Sequence, residues 1–202
     1  WEGWKQDSSL LNMFYDPVLS SMPTGAVYFG GTDYGRFLIT AANAIETPPH
    51  VFCITQNALA DNTYAAHLRA VYGDRIWIPQ EGDSAQAFQR YVEEVRSGKR
   101  GSNAELKIEG GRVSVSGVLG VMEINCILAQ MIFERNNRHS FYVEESYVIN
   151  WMYPYLTPHG LIMKISRDRL AIPPDNDRND MDFWDWYTRR LMADRKFVRD
   201  IV

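Results

Sequence analysis

The stretch Gly25–Ile45, GAVYFGGTDYGRFLITAANAI, constrains this chain more than any other, because it reads as a buried strand, a glycine turn and a helix in immediate succession. Ala26, Val27, Tyr28 and Phe29 are four apolar residues in a row, which suits a strand covered on both faces and therefore a parallel sheet. Gly30 and Gly31 let the backbone turn or approach a partner closely. Thr32 or Asp33 is placed to cap the helix that follows, and Phe37, Leu38, Ala41, Ala42 and Ile45 give that helix an apolar stripe.

A strand that ends in a glycine-rich turn at a helix N-terminus is a common ligand position in open α/β sheets, since free N–H groups and the helix dipole favour negative charge there. The order Gly30-Gly31-Thr32-Asp33-Tyr34-Gly35 is not GxGxxG and no GK[ST] follows, so neither the dinucleotide nor the P-loop fingerprint is met. Asp33 would repel a phosphate on the same amides. It points instead to hydroxyl-rich ligands, a cation or plain capping.

Along the rest of the chain, strands alternate with helical patterns. Leu10–Tyr15 predicts a short helix stopped by Asp16-Pro17, because proline disfavours helical geometry in the residue before it. Pro48-Pro49 breaks the chain, and HVFCITQ follows as a second buried strand. Asp61 or Asn62 is expected to cap a helix with Tyr64, Leu68 and Val71 on its face and Gly73 at its stop. RIWIP, residues 75–79, predicts a short third strand, and Asp83 or Ser84 caps a helix carrying Phe88, Tyr91, Val92 and Val95 that ends at Gly98. Lys99–Asn103 reads as an exposed loop. Leu106 and Ile108, then Val113 and Val115 across Gly110-Gly111, alternate as a β-hairpin does. Gly117–Glu134 is apolar over most of a helix circumference and so predicts a buried helix. SFYVEES and GLIMKI complete the strands. Pro173-Pro174 and Asp175–Asp180 lead to a C-terminal helix on which Phe183, Trp184, Tyr187 and Leu191 are spaced to dock.

The expected fold is α/β: a three-layer, mainly parallel, Rossmann-like sheet with helices on both faces and an added β-hairpin. Residues 1–172 form the α/β domain, with the hairpin inserted at about 104–116, and residues 173–202 a helical extension packed on it. At 202 residues one such domain buries about 70% of the surface its unfolded chain exposes. A formal charge of −4 and a pI near 5.6 lack the basic footprint that nucleic-acid binding requires, so no nucleic-acid partner is expected. There is no long apolar span and no signal-peptide pattern at Trp1, which makes the fragment soluble as given, and its abrupt WEGW start suggests a piece of a longer protein.

His50, His67, His139 and His159 lie far apart in sequence with no HxH, HExxH or CxxC pattern, so no metal is expected. Cys53 and Cys126 sit in apolar runs and read as buried small hydrophobes, with a disulfide between them left open. There is no GxSxG elbow, and no cofactor is expected. Glu144 and Glu145 end a strand, where alternation sends them to opposite faces and parallel sheets gather ligands. The plainer reading has one carboxylate capping a neighbouring turn or pairing with an arginine while the other meets solvent. Asp33 with Glu144 is the one carboxylate pair that could serve glycoside chemistry. Asn57, Asp61 and Asn62 follow the second strand, and with Trp151, Tyr153 and Tyr155 would make a polar floor with aromatic walls, suited to sugar C–H faces and hydroxyls; caps, turns and core packing compete for the same residues. The candidate binding residues are therefore Gly31, Thr32, Asp33, Asn57, Asp61, Asn62, Glu144, Glu145, Trp151 and Tyr153.

Four stretches taken together, GAVYFGGTDYGRF, ITQNALADNTYAAHLR, FYVEESYVINWMYPYLTPHGLIMKISR and DFWDWYTRRL, resemble the soluble C-terminal part of a bacterial family of unknown function. Its full-length members begin with many transmembrane helices similar to GT-C glycosyltransferases of the protein O-mannosyltransferase type, and some continue into tetratricopeptide repeats. The resemblance runs from about Trp1 to the C-terminus. Many relatives carry G-D-N-D-T after the first strand, whereas this chain has Gly31-Thr32-Asp33-Tyr34. The resemblance implies that the essential acid lies in the membrane region, outside this chain, and that the domain sits on the extracytoplasmic, periplasmic side. Such a domain would hold a glycan or protein acceptor beside the membrane-spanning region of the same polypeptide, without catalysing transfer alone. The alternatives are an interaction module docking on the membrane domain or repeats, and a stand-alone hydrolase or nucleotide-binding enzyme, which would need two acids converging in a deep pocket.

Overall fold

Val27–Gly30 are buried without exception and form β1, the strand on which one half of the molecule is built. The computed structural model describes residues 3–44, 50–99, 105–109, 112–116, 118–170 and 178–193. The chain divides into two compact units: residues 1–54 with 139–202, and residues 55–138. The turn at Gly110-Gly111, the Pro48-Pro49 break, most of Lys99–Asn103 and the Pro173-Pro174 linker fall outside the described residues, as does much of the 173–202 extension.

The first unit is organised by a five-stranded sheet in the order β2-β1-β5-β7-β6, with β2 at Phe52–Thr55, β5 at Phe141–Glu144, β6 at Leu156–His159 and β7 at Ile162–Ile165. β1 and β5 are parallel, Val27 opposite Phe141, whereas β5–β7 and β7–β6 are antiparallel. The sheet is thus mixed, and the expectation of a mainly parallel one is corrected on its second half. For β6 and β7 the cause is local: Gly160, at φ +65, turns the chain straight back after β6, and a tight turn can only join antiparallel neighbours. β6 itself escapes a sequence reading because LTPH contains Pro158. Proline is tolerated there because β6 is an edge strand.

Register places Tyr28, Tyr142, Lys164 and Thr157 in one row across the sheet, and Glu144, Ile162 and His159 in the next row of the same face. Tyr28, Tyr142 and Ile162 pack there with Cys53, with Val18 from the first helix and Met22 just after it, and with Ile39 from the second. The first helix, α1, runs Gly3–Ser21, longer than the expected Leu10–Tyr15 and straight through Pro17. Val18 at 1% exposure and Met22 at 2% show why: burial of both beyond the proline outweighs its one missing hydrogen bond.

The helix after β1 starts as a π-turn, Tyr34–Leu38, and becomes α-helical only at Ile39–Ala44, α2. A π-turn holds one residue more than an α-turn, so the apolar stripe rotates. Ile39 and Asn43 face inward, while Phe37 is 61% and Tyr34 73% exposed; the expected stripe of Phe37, Leu38 and Ala41 is not the buried one. Three of the four histidines fasten the segment between α1 and β1. Ring N–H groups of His159, His50 and His139 donate to the carbonyls of Ser21, Met22 and Gly25 at 2.9, 2.8 and 2.7 Å.

The second unit holds α3 at Asn62–Tyr72, α4 at Glu81–Arg96, α5 at Val118–Arg135, and the antiparallel pair β3 at Glu105–Glu109 and β4 at Arg112–Ser116, in the expected hairpin register. Asp61 caps α3 through its carboxylate on the Thr63 N–H, and Gly73 ends it at φ +58. The buried face of α3 is Ala65, Leu68 and Tyr72; Val71 is exposed. Gln80, not Asp83 or Ser84, is the N-cap of α4, and Asp83 closes the turn by accepting from the Gln80 N–H at 2.8 Å. α5 buries Ile127, Leu128 and Ile132 fully but exposes Val121 and Met122 near its start.

RIWIP joins no sheet among the described residues: Arg75 closes a 3-10 turn, Gly73–Arg75, and the chain is extended at Ile76. Its partner is a side chain: Asn136 accepts from the Trp77 N–H at 2.7 Å and donates to the Trp77 carbonyl at 2.9 Å, the two bonds a neighbouring strand would make. Asn43 does the same for Val51, at 2.9 and 2.8 Å, just ahead of β2. Asn125 accepts from the Ala60 N–H at 2.6 Å and donates to the Asn57 carbonyl at 2.8 Å. All three asparagines are buried, and each uses both halves of its amide.

In the C-terminal helix, α6 at Arg178–Ala193, Tyr187 is buried and its ring stacks on Phe183, whose ring lies against Gly160. Trp184, expected to dock, is 44% exposed with its indole N–H on Asp180.

Candidate functional site

Four donors meet at one buried carboxylate at the C-terminal end of β1. Glu144, the last residue of β5, accepts through Oε2 from the N–H groups of Gly31 at 2.8 Å and Thr32 at 2.9 Å. Through Oε1 it accepts from the Thr32 hydroxyl and, at 3.2 Å, from the Ser146 hydroxyl. The Thr32 hydroxyl oxygen in turn accepts from the Gly35 N–H at 3.1 Å, so threonine is the capping residue of this turn. Strand pairing makes the meeting possible: β1 and β5 run side by side in the same direction, which carries both strand ends to one edge. Amides that would otherwise greet an anion thus receive the chain's own carboxylate.

The glycines follow from that arrangement. A Cβ on Gly35 would fall 2.1 Å from the Glu144 carboxyl carbon, and one on Gly31 would fall 2.0 Å from the Tyr147 ring. Both positions exclude a side chain because something already occupies the space. Beneath the carboxylate, the hydroxyl of Tyr28 is buried with no hydrogen-bond partner among the described residues, and burial, with the nearby Glu144 charge second, raises its pKa. The Cys53 thiol is pushed up to about 12 by burial, with a Thr40 hydrogen bond acting the other way. Both cysteines are free thiols.

Above the turn lie the exposed groups. Asp33 pairs with Arg36 at 2.6 Å, and the guanidinium lies 4.5 Å from the Phe37 ring centroid. Tyr34 stands beside them on the π-turn. Glu145 opens a 3-10 turn, Glu145–Tyr147, and is exposed; Trp151 and Tyr153 belong to a second, Asn150–Tyr155, where Trp151 is half-buried and Tyr153 62% exposed.

Of the residues singled out from the sequence, Gly31, Thr32 and Glu144 are brought into direct contact. Asp33 and Glu144 have separate partners: the Asp33 carboxylate pairs with Arg36, and that of Glu144 accepts from four donors. Asn57, Asp61 and Asn62 belong to the second unit, where Asn57 receives Asn125, Asp61 caps α3 and Asn62 accepts from the Ser84 hydroxyl at 3.3 Å. Tyr34 and Phe37, as exposed aromatics, were hidden from a sequence reading by the π-turn. Among the described residues no group of three His, Cys, Asp or Glu could hold a metal ion, and no helix is long and apolar enough to cross a membrane.

These features define a mixed α/β protein whose glycine turn is filled from within. Comparisons with protein-family models, with curated proteins and with solved structures find no match to this chain.

Proposed function

We propose that this chain is a non-catalytic accessory domain of a membrane glycosyltransferase-like protein on the periplasmic face of a bacterial membrane, holding a carbohydrate or protein acceptor at the β1 rim. The three-layer, Rossmann-like description of its sheet belongs to the same proposal. The observation that supports it is the division of labour at the rim: Glu144 is fully engaged by the chain's own donors, while Tyr34 and Phe37 are exposed beside the Asp33–Arg36 pair, the Arg36 guanidinium lying on the Phe37 ring. A carboxylate so engaged anchors the turn and is not free to serve as a general acid or base. Exposed rings flanked by an ion pair suit the C–H faces and hydroxyls of a sugar, or the side chains of a peptide.

The test is a two-dimensional NMR titration of the 202-residue chain with a panel of neutral glycans and acceptor peptides. Saturable shifts at Asp33, Tyr34 and Phe37 are expected, weakened about tenfold or more in a Tyr34→Ala, Phe37→Ala double variant, as loss of stacking area requires. An absence of shifts at this rim across the panel would refute the reading.

A second reading draws on α6, where Met181, Trp184, Trp186 and Met192 are all exposed. Apolar surface of this kind favours an interaction module that docks on the membrane-spanning region of the same polypeptide.

A further inference from the structure

Apart from the β1 rim, the first unit holds a cleft of about 410 Å³ lined by Ser21, Thr157, His159, Lys164, Asp180 and Phe183. It shares no residue with the β1 rim and stands whether or not that rim binds anything. Its size falls in the range of small-molecule sites, about 300–1,000 Å³, and at the lower end suits a single sugar ring.

The lining is assembled from three elements. Sheet register sets Lys164 directly beside Thr157 on the face that α1 covers, with His159 in the next row. His159 is fixed by its Nε2–H on the Ser21 carbonyl at 2.9 Å and by the Tyr142 ring, 5.1 Å between centroids. Asp180, in the first turn of α6, is held by the Gly160 N–H at 2.7 Å and the Trp184 indole N–H at 3.2 Å. Phe183 reaches the floor because Gly160 lacks a side chain: a Cβ there would come within 3.0 Å of the ring. Lys164 is exposed and makes no ion pair with any described residue.

The chemistry of these groups selects a ligand. An ammonium offers three donors and no acceptor, so the Lys164 end takes an anion. Asp180 lines the same cleft with a negative charge, which disfavours a compact dianion such as phosphate but accepts from a ligand hydroxyl. The Phe183 ring supplies an apolar face for ring C–H groups, and Thr157 a hydroxyl for either partner. We infer that this cleft binds a hydroxylated organic acid of the sugar-acid type, its carboxylate on Lys164, its ring face on Phe183 and a hydroxyl on Asp180.

The probes are glucuronate, glucose and inorganic phosphate, each titrated into the full 202-residue chain by NMR and calorimetry. Glucuronate should shift the amides of Thr157, Gly160 and Lys164 saturably, and should bind about tenfold or more tighter than glucose or phosphate, the weight of one charge-assisted contact. Lys164→Gln should lose that advantage while Lys164→Arg keeps most of it, both unfolding at the wild-type temperature because the side chain is exposed. Equal affinity for glucose and glucuronate, tighter binding of phosphate, indifference to Lys164→Gln, or an absence of saturable shifts at the cleft would each overturn the assignment.

Discussion

Replacing Glu144 tests the central arrangement most directly. In Glu144→Ala the N–H groups of Gly31 and Thr32 and the hydroxyls of Thr32 and Ser146 all lose their acceptor at once. Hydroxyls rotate to other partners, but the two amides cannot. Gly31 is buried and Thr32 half-buried, so water reaches the second more easily than the first. At about 1–3 kcal/mol for each orphaned donor, with the charge of the lost partner pushing toward the upper end, the expected cost is about 3–5 kcal/mol. Glu144→Gln behaves differently. Its amide oxygen can stay on the two N–H groups, and its NH₂ then faces two hydroxyl oxygens that can accept, so about 1–2 kcal/mol is lost. Urea unfolding followed by tryptophan fluorescence measures both, and hydrogen exchange at Gly31 and Thr32 shows whether the loss is local to the turn. A Glu144→Ala variant within 1 kcal/mol of the parent, or a glutamine as costly as the alanine, would show that the carboxylate does not hold the turn.

Two further outcomes follow from buried groups elsewhere. Below pH 9 the Cys53 thiol is protonated in both folded and unfolded chains; between pH 9 and about 12 only the unfolded chain ionises it, so stability falls with rising pH across that window, at up to about 1.4 kcal/mol per pH unit. Cys53→Ala should flatten the slope measured by urea unfolding between pH 8 and 10.5, and an unchanged slope would contradict the assignment. Asn136→Ala strips RIWIP of both strand-like bonds and should cost about 2–4 kcal/mol, whereas Asn136→Asp, which keeps only the acceptor, should recover part of it; equal losses in thermal unfolding would argue against the amide clamp.

What a linear reading reveals of this molecule depends on whether the determining contact is local. The strands at Val27–Gly30, Phe52–Thr55, Phe141–Glu144 and Ile162–Ile165, the hairpin, and the helices from Asn62, Glu81, Val118 and Arg178 all lie where apolar pattern and turn residues put them. Asp61 as a cap needed only its neighbours. The misreadings have nonlocal or noncanonical causes. RIWIP carries the composition of a strand, yet an asparagine just beyond the end of α5 supplies its partner. One extra residue in the π-turn displaces every later position of its stripe, so Ile39 is buried where Phe37 was expected. Pro17 stops a helix only where nothing beyond it is worth burying, and Val18 and Met22 are. Of the candidate site, the turn and Glu144 were visible separately; that the second would fill the first required knowing that β1 and β5 are neighbours.

The pairing of β1 with β5 also sets a timetable for biosynthesis. Gly31 and Glu144 are 113 residues apart, so at about 5–20 residues per second the ribosome finishes the first strand on the order of ten seconds before its mate exists. For most of that interval Val27 and Phe29 have only β2 beside them, and the other edge of β1 waits for β5. Residues 55–138, complete before β5 is made, are free to collapse first.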